Sequence, residues 1–414
     1  MSADSPGPTQ APVAAIAPKG LALWLAALVS LTPFAIDSYL PAIPAMAAAF
    51  GTSVAHIQQS VSSYLLGFAL GQLLGGPLSD RYGRRLIGTT GLLAFITATV
   101  CILLVDRADT LVLLRFLQAA GGGFATVISA AIVRDLFHGR EAARIFSIIT
   151  SMMLLAPLAA PVIGSLLLVP FGWKSIFVFL LAYAALMLVL VRVLLPETVS
   201  SYKRAKRQRQ PARQLLGNYR TVIRNRRAMG FLLTQSLVSG TLFVYITTAP
   251  FVFMEFFSAN AATFPIYFGM CVLGLALTIQ LNIRLLRYFE PGRILVAGVI
   301  LHLLGTVLLL LVALTGVREI LVWMVPLVIA IGAIGITGPN CSACYLEFFP
   351  NISGSANALY GATLFIAGAI LGALANSLHT GNLVPIAALM ALCASAALFS
   401  ALVLARAHRP IAPE

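Results

Sequence analysis

Long apolar stretches alternate with short polar segments along most of this chain. An α-helix rises about 1.5 Å per residue, so about 20 apolar residues cross the hydrocarbon core of a bilayer. Twelve such stretches lie near residues 20–42, 57–78, 86–105, 110–133, 143–168, 173–195, 228–252, 263–285, 293–315, 320–344, 353–377 and 384–405. The pattern therefore predicts an all-α membrane protein with twelve transmembrane helices.

One long polar segment, residues 196–227, divides the twelve stretches into two sets of six. We predict an N-terminal half at 20–195 and a C-terminal half at 228–405, joined by a basic cytoplasmic linker lying against anionic lipid headgroups. Residues 1–19 contain four prolines and little charge, so we expect a disordered cytoplasmic tail there, with a second tail at 406–414. Two pseudo-symmetric six-helix halves are typical of transporters that work by alternating access.

The distribution of charge predicts the topology of the chain. Only 10% of the residues are charged, against about 25% in soluble domains, which excludes a soluble fold with a single anchor. Of the 27 Lys and Arg residues, 23 fall in the tails, the linker and alternate loops. Arg107, Lys174 and Arg318 fall on the opposite side, and Arg115 lies within a stretch. Basic loops are retained in the cytoplasm, so both termini are predicted to be cytoplasmic, and the net charge of +14 needs no nucleic-acid partner.

The sequence offers little for catalysis or metal binding. The five cysteines lie in or beside apolar stretches, and Cys341 and Cys344 form a Cys-x-x-Cys without a second Cys or His cluster. Packing between helices is the simpler interpretation of these thiols. The loops are short and carry no arrangement of nucleophile and base. We therefore expect neither an enzyme nor a bound metal or cofactor.

Asp37 is the acidic side chain that lies well inside an apolar stretch. A carboxylate in hydrocarbon is costly, so such residues face a protein interior or a water-filled path and mark proton or ion pathways. Asp37 is therefore predicted to take up and release a proton during transport. Two alternatives stay open: a structural aspartate satisfied by neighbouring helices, or a cation-selecting group in a passive facilitator.

The segment between the second and third stretches reads Gly-Gly-Pro-Leu-Ser-Asp-Arg-Tyr-Gly-Arg-Arg at residues 75–85. It resembles the loop signature of the major facilitator superfamily, whose fold is two six-helix halves. The resemblance implies a latch on the cytoplasmic side, in which the acid pairs at the end of the fourth helix and with the N-terminus of the eleventh, capped by Ser353 or Ser355. Glycines allow close approach and a tight turn in this loop. The latch residues are Gly76, Asp80, Arg81, Gly83, Arg84, Arg134 and Asp135.

The fourth stretch carries Arg115, Gln118 and three consecutive glycines, an arrangement similar to a second signature of the same superfamily. The resemblance implies that Arg115 takes part in proton coupling. A buried guanidinium requires a partner, and Asp37 is a candidate because both residues fall about four or five residues from the same end of their stretches. Burial favours the protonated form of such a carboxyl, whereas a nearby arginine favours the ionised form. A substrate that shields the compensating groups would then compete with the proton.

The fifth stretch contains Pro157, Pro161 and Gly164 and resembles the antiporter signature of the superfamily, in which prolines and glycines bend a helix at the interface between the halves. Two positions depart from that signature. Ala160 stands before Pro161 where the signature has glycine, and Ser165 replaces its final glycine.

Residues 36–41 (Ile-Asp-Ser-Tyr-Leu-Pro), 133–135 (Val-Arg-Asp) and 249–252 (Ala-Pro-Phe-Val) resemble the bicyclomycin/chloramphenicol-resistance (Bcr/CflA) subgroup of drug:proton antiporters. The eleventh stretch fits the same pattern, and the resemblance extends from Gly20 to Leu404. In this subgroup the acid at Asp37 is the implied protonation site.

The candidate substrate-binding residues are polar or aromatic positions at mid-depth, because amphipathic aromatic side chains suit flat and weakly polar drugs. They are Asp37, Tyr39, Gln58, Tyr64, Tyr245, Tyr267, Asn340 and Tyr360. Helix packing or an interfacial aromatic belt is the alternative role for each tyrosine.

Together these features predict a monomeric proton-coupled drug or multidrug efflux antiporter of the bacterial inner membrane. It would export small amphiphilic antibiotics, chloramphenicol-like or bicyclomycin-like, by alternating access, with the proton gradient as its energy source. A metabolite exporter or proton-coupled importer on the same fold, and a passive facilitator, remain open.

Overall fold

The computed structural model describes residues 20–137, 139–195, 212–378 and 381–407. The expected tail at 1–19, most of the basic run of the linker and residues 408–414 lie outside the described residues. The helices are α1 Leu21–Asp37, α2 Ile43–Ala49, α3 Val54–Tyr82, α4 Arg84–Leu104, α5 Ala108–Leu136, α6 Gly139–Phe171, α7 Lys174–Leu194, α8 Ala212–Arg224, α9 Arg226–Ala249, α10 Phe264–Leu285, α11 Pro291–Thr315, α12 Ile320–Leu346, α13 Ser353–Ser377 and α14 Val384–Phe399. Short 3₁₀ turns stand at Leu40–Ala42 and Pro350–Ile352, and π-helical turns extend α9 over Pro250–Phe256 and α14 over Ser400–Leu404.

Twelve helical spans in the described part are long and apolar enough to cross a membrane, which confirms the predicted all-α architecture. They are α1 with α2, then α3 to α7, and then α9 to α14. We call the face where α1 begins the inner face, and the face where α2 ends the outer face. The arginine distribution predicts that the inner face is cytoplasmic.

The two halves repeat one packing scheme. In the first half the second and third spans, α3 and α4, pack on the fourth, α5, the first span packs on the fifth, α6, and α4 packs on the sixth, α7. The second half pairs its helices in the same order: α10 and α11 pack on α12, α9 packs on α13, and α11 packs on α14. The halves meet along a seam where α3 lies against α13 and α6 lies against α10. Such repetition is the architecture of duplicated transporters.

Glycines set the spacing of α3 and α5. A methyl group built on Gly67 or Gly71 would overlap the backbone carbonyl of Phe116 or Ala120 on α5. Small residues let membrane helices approach this closely and gain van der Waals contact where lipid supplies no hydrophobic driving force. The N-terminal half is therefore held by backbone-to-backbone packing beside its functional side chains.

Part of the predicted linker is helical, although no helix was expected there from the sequence. The helix α8 packs on α9 and α13 and buries Val222, while Arg220 and Arg224 are exposed. Asn218 donates a hydrogen bond to the Ser355 hydroxyl near the start of α13, at 3.3 Å. Burial of the Tyr219 ring raises the pKa of its phenol above 10.0. The linker thus contacts the eleventh span directly.

Substituting Gly71 with alanine is expected to lower the thermal unfolding midpoint of the detergent-solubilised protein by several degrees. The added methyl group has no room beside the Ala120 carbonyl, and forcing α3 away from α5 costs about 1–3 kcal/mol. Gly217→Ala in α8, where a methyl group meets open space, is the matched control. Equal midpoints for the two variants would contradict this account of the packing.

Candidate functional site

Asp37 lies at a break in the first span. The helix α1 ends at Asp37, and the chain turns through Ser38 and Tyr39 before it becomes helical again. Pro41 and Pro44 have no backbone N–H to donate to the carbonyls four residues earlier, which favours a break at this point. The carboxylate is only 3% exposed, and its Oδ1 has no hydrogen-bond partner among the described residues.

The depth predicted for Asp37 was wrong. The first span covers 30 residues, Leu21–Phe50, and not 20–42, so Asp37 lies 13 residues before its outer end. At 1.5 Å per residue this is about 20 Å along the chain, near the middle of the bundle. The two prolines resembled a helix end in the sequence, but proline is equally suited to the first turn of a new helical segment.

Arg115, on α5, is fully buried beside this break. Its Nη1 donates to Gln118 Oε1 at 2.6 Å, and its Nη2 donates to the backbone carbonyl of Ala35 at 2.8 Å. Gln118 in turn donates to the Thr99 hydroxyl at 2.7 Å. Arg115 therefore anchors the last turn of α1 two residues before Asp37.

Aromatic rings hold the guanidinium of Arg115 from both sides. The rings of Tyr39 and Tyr64 have their centres 4.3 Å from Arg115 Cζ, and the Phe177 ring lies 5.9 Å away. Cation–π contact of a desolvated guanidinium is worth about 2 kcal/mol or more. The Tyr39 hydroxyl is bound to Ser60 Oγ at 3.0 Å, which fixes its ring.

The expected pairing of Arg115 with Asp37 is not seen: within the described residues, no ion pair joins them. The two residues share one level of the bundle, as predicted, because Arg115 binds the Ala35 carbonyl. Both also act electrostatically on Tyr64, whose hydroxyl borders Thr32. Among the described residues, Nη1 and Nη2 of the guanidinium bind an amide and a carbonyl and aromatic rings flank it, while its Nε has no hydrogen-bond partner.

The second half reaches this site through Tyr245 on α9. Tyr245 lies close enough to Asp37 for the two groups to interact electrostatically, and its hydroxyl has no hydrogen-bond partner among the described residues. Its ring stacks on Phe268 with centres 5.5 Å apart. A narrow cavity of about 10 Å³ adjoins it, lined by Thr248, Val252, Trp323, Leu327, Ile386 and Met390. The Asp37 site therefore borders the seam between the halves.

Other predicted pocket residues lie in separate groups. Gln58 is buried on α3, and its Nε2 has no partner among the described residues. Tyr267 contacts the Phe253 ring, with centres 5.8 Å apart. Asn340 donates to Asn282 Oδ1 at 2.6 Å and to the Ile336 carbonyl at 2.7 Å, which ties α12 to α10.

The ring of Tyr360 packs on Tyr345, with centres 5.0 Å apart, beside Cys341. The structure thus places Tyr39 and Tyr64 against Arg115, and Tyr64 and Tyr245 within electrostatic range of Asp37. It gives no contact of Tyr267, Asn340 or Tyr360 with these residues in the described part.

The predicted kink region of α6 abuts the break in the first span. Pro157 and Pro161 lie within one continuous helix, and a methyl group built on Gly164 would overlap the Ser38 carbonyl. The next residue, Ser165, donates to the Ala261 carbonyl of the second half at 2.6 Å. Ser165 is the residue at which the chain departs from the antiporter signature. It joins the two halves, and it directly follows Gly164, which packs against the Asp37 segment.

The latch residues form a cluster at the inner ends of α3, α4 and α5. Arg84 pairs with Asp80, binds Asp135 Oδ2 through Nε at 3.2 Å and donates through Nη1 to Ser79 Oγ at 2.6 Å. Gly83 has φ 108°, which confirms the turn expected of a glycine. Arg134 is within electrostatic range of Asp80 and Asp135, and Arg81 lies over the neighbouring Tyr82 ring.

Two details of the predicted latch were wrong. At Gly76 a methyl group would meet only one side-chain atom, at 4.0 Å, whereas at Gly75 it would come within 2.9 Å of Phe124, so Gly75 is the close-packed residue. The N-cap of α13 is Ile352, without a side-chain cap, and not Ser353 or Ser355. Pro350 starts a 3₁₀ turn there, which shifts the position of the cap.

Several residues around the site were not identified from the sequence. Thr32, Ser60, Thr99 and Phe177 complete the surroundings of Arg115, Tyr39 and Tyr64. Serine and threonine are common in membrane helices, so their presence gave no signal. Ser165 did carry a signal in the sequence, since it replaces the glycine that the antiporter signature has at this position.

The family model described as Major Facilitator Superfamily matches residues 23–373. The chain is 28% identical over 375 residues to a bicyclomycin resistance protein homolog of Haemophilus influenzae, covering 90% of this chain and 92% of that protein. It is 29% identical over 350 residues to a chloramphenicol resistance protein of Pseudomonas aeruginosa, covering 83% and 80%. These similarities confirm the resemblance to the bicyclomycin/chloramphenicol-resistance subgroup.

Solved structures agree on the fold. A D-xylose-proton symporter superposes with a TM-score of 0.72 at 17% identity, covering 92% of this chain and 96% of that chain. The nucleoside transporter NupG gives 0.73 at 14%, covering 94% and 100%. With its twelve spans and these relatives, the chain is a multi-pass protein of the inner membrane and a transporter, not an enzyme.

Arg115→Lys is expected to destabilise the protein by about 2–3 kcal/mol, because a lysine cannot reach two acceptors and stack between two rings at once. Thermal unfolding in detergent measures this. Arg318→Lys, which loses an exposed stacking contact on Phe256, is the matched control and is expected to be near wild type. An Arg115→Lys midpoint equal to that of the control would refute the proposed anchoring.

Gly164→Ala is expected to reduce transport about tenfold, since relieving the overlap with the Ser38 carbonyl displaces the segment that carries Asp37. Gly269→Ala on the same seam, where a methyl group meets Leu158 at an ordinary 3.6 Å, serves as control. Transport rates are measured in proteoliposomes. Wild-type transport by Gly164→Ala would show that this contact does not position Asp37.

Proposed function

The chain belongs to the major facilitator superfamily, and on this premise we propose that it is a proton-coupled antiporter. It would export small, uncharged amphiphilic antibiotics of the chloramphenicol and bicyclomycin kind in exchange for protons. The observation that carries the proposal is a buried Asp37 carboxylate whose Oδ1 has no partner among the described residues, although a buried arginine lies beside it.

The chemistry follows from that oxygen. A buried polar atom without a hydrogen bond costs about 1–3 kcal/mol, and more if it is charged. A proton on the carboxyl removes the charge, and a donor group of a bound substrate would satisfy the oxygen instead. Proton and substrate are then alternative partners for one carboxylate, which is the requirement for exchange.

The surroundings of Asp37 favour an aromatic and uncharged substrate. Tyr39, Tyr64 and Tyr245 border the carboxylate or its neighbours, and aromatic side chains provide large contact areas with hydrogen-bonding tips. Arg115 donates hydrogen bonds to the Gln118 amide and to the Ala35 carbonyl and not to a carboxylate. A single interior acid handles neutral molecules more readily than dications. The relatives named for chloramphenicol and bicyclomycin resistance support this substrate class.

The seam explains how occupancy of the site would reach both halves. Asp37 lies near Tyr245 of the second half, and Gly164 and Ser165 join the Asp37 segment to Ala261 of the second half. A change of partner at Asp37 would shift the Ser38 carbonyl against α6. That shift would alter the contact between α6 and the second half, which is how alternating access would be coupled to the proton.

In proteoliposomes loaded at acidic pH, chloramphenicol is expected to trigger proton release in the wild type and not in Asp37→Asn, with counterflow of radiolabelled drug reduced at least about tenfold. Asp109→Asn, which changes an exposed acid paired with His56 at the outer face, is the matched control and is expected to remain coupled.

Drug movement without proton flux in the wild type would identify a passive facilitator. Coupling that survives in Asp37→Asn would place the proton elsewhere. A wild type that does not move the drug but moves a metabolite would leave the fold assignment unchanged. The proposed substrate class would then be replaced.

A further inference from the structure

A cavity of about 620 Å³ opens between the halves at the outer face. The first half contributes Pro44, Ala48 and residues 52–55, and the second half contributes Glu255 and Asn376. Sites for drug-sized molecules have volumes of about 300–1,000 Å³. Because both halves line it, a molecule bound here would contact both sides of the seam.

Asn376 is unusual among the residues that line this cavity. It is 5% exposed, and neither its Oδ1 nor its Nδ2 has a hydrogen-bond partner among the described residues. Leaving a buried amide unpaired costs a few kcal/mol, so such groups are normally bound to protein, water or ligand. An asparagine amide can both donate and accept hydrogen bonds.

Further polar groups without protein partners continue from Asn376 into the seam. Gly372 lies one turn before it on α13, and a methyl group there would come within 3.0 Å of Ser62 Oγ and 2.9 Å of Thr247 Oγ1. Both hydroxyls are buried without a partner among the described residues. Thr247 follows Tyr245, the residue that approaches Asp37, by two positions.

The facing helix α3 repeats the arrangement. Gln58 stands one turn from Ser62 towards the outer face, and Val54 of the cavity wall stands one turn further. The Gln58 Nε2 also has no partner among the described residues. Unpaired polar groups on both helices thus extend from the outer cavity inward along the seam.

We propose that the outer cavity is a second binding site for the exported substrate, occupied after it leaves Asp37. It takes an uncharged molecule that carries hydroxyl and amide groups beside an apolar ring, the chemistry of chloramphenicol. Asn376 pairs with the hydroxyl and amide groups, and Pro44 and Ala48 contact the apolar part. This inference rests on the proposed export of such molecules.

The test measures protection of a cavity cysteine. Ala48 is exposed in the cavity, so Ala48→Cys is reacted with a membrane-impermeant maleimide with and without saturating chloramphenicol, the unsubstituted protein giving the background of the native cysteines. We expect the drug to slow labelling at least about threefold. This protection should persist in Asp37→Asn and be lost in Asn376→Leu. Leucine matches the shape of asparagine without an unpaired amide, so this variant is expected to fold.

Ser377→Ala, an exposed neighbour on α13, is the matched control and should keep the protection.

As a second measurement, equilibrium dialysis should find two drug molecules per wild-type chain and one in Ala48→Trp, whose indole fills the cavity. Protection abolished by Asp37→Asn and retained in Asn376→Leu would overturn the proposal, because the drug would then act only from the central site. A wild type that exchanges drug for protons but shows no protection would overturn the outer site alone. Absence of drug-triggered proton movement would count against the proposed function instead.

Discussion

The cost of placing charged groups in an apolar interior governs the arrangement of this protein. Arg115 can be buried only because a carbonyl, an amide and two tyrosine rings replace the water that it loses. One of those partners, the Ala35 carbonyl, belongs to the last turn of α1. The guanidinium therefore fixes the point at which the first span breaks, and the break presents Asp37. Because neutral groups and not a carboxylate bind this cation, the buried Asp37 carboxylate can change its own partner.

The same region links that carboxylate to the movement of the halves. The break exposes a backbone carbonyl at Ser38, and Gly164 packs against it because glycine alone leaves the space. Ser165 then binds the second half through its hydroxyl. Tyr245 of the second half lies within electrostatic range of Asp37. Since close-packed interfaces shift between discrete arrangements more readily than they deform, a small change at Asp37 has a direct route to the contact between the halves.

Much of this fold could be predicted from the sequence, because span length and arginine placement are set by the bilayer itself. The helices matched the predicted stretches closely, except where Pro41 and Pro44 made the first span seem to end early. The depth counted for Asp37 was wrong because the end of its span was misplaced, although Arg115 does reach the nearby Ala35 carbonyl. Direction around the helix axis depends on packing between helices, so the partners of Arg115 and the separate positions of Asn340 and Tyr360 were not predictable. The close-packed role of Gly75, and not Gly76, has the same cause.

The central claim is that one oxygen of Asp37 is satisfied either by a proton or by the substrate. Proton release on drug binding to the detergent-solubilised protein, followed with a pH indicator in weak buffer, tests this without transport or a membrane gradient. The account predicts about one proton released per drug molecule bound at the central site, at a pH where the free carboxyl is protonated, and none from Asp37→Asn. Drug binding to the wild type without proton release across the accessible pH range would contradict it.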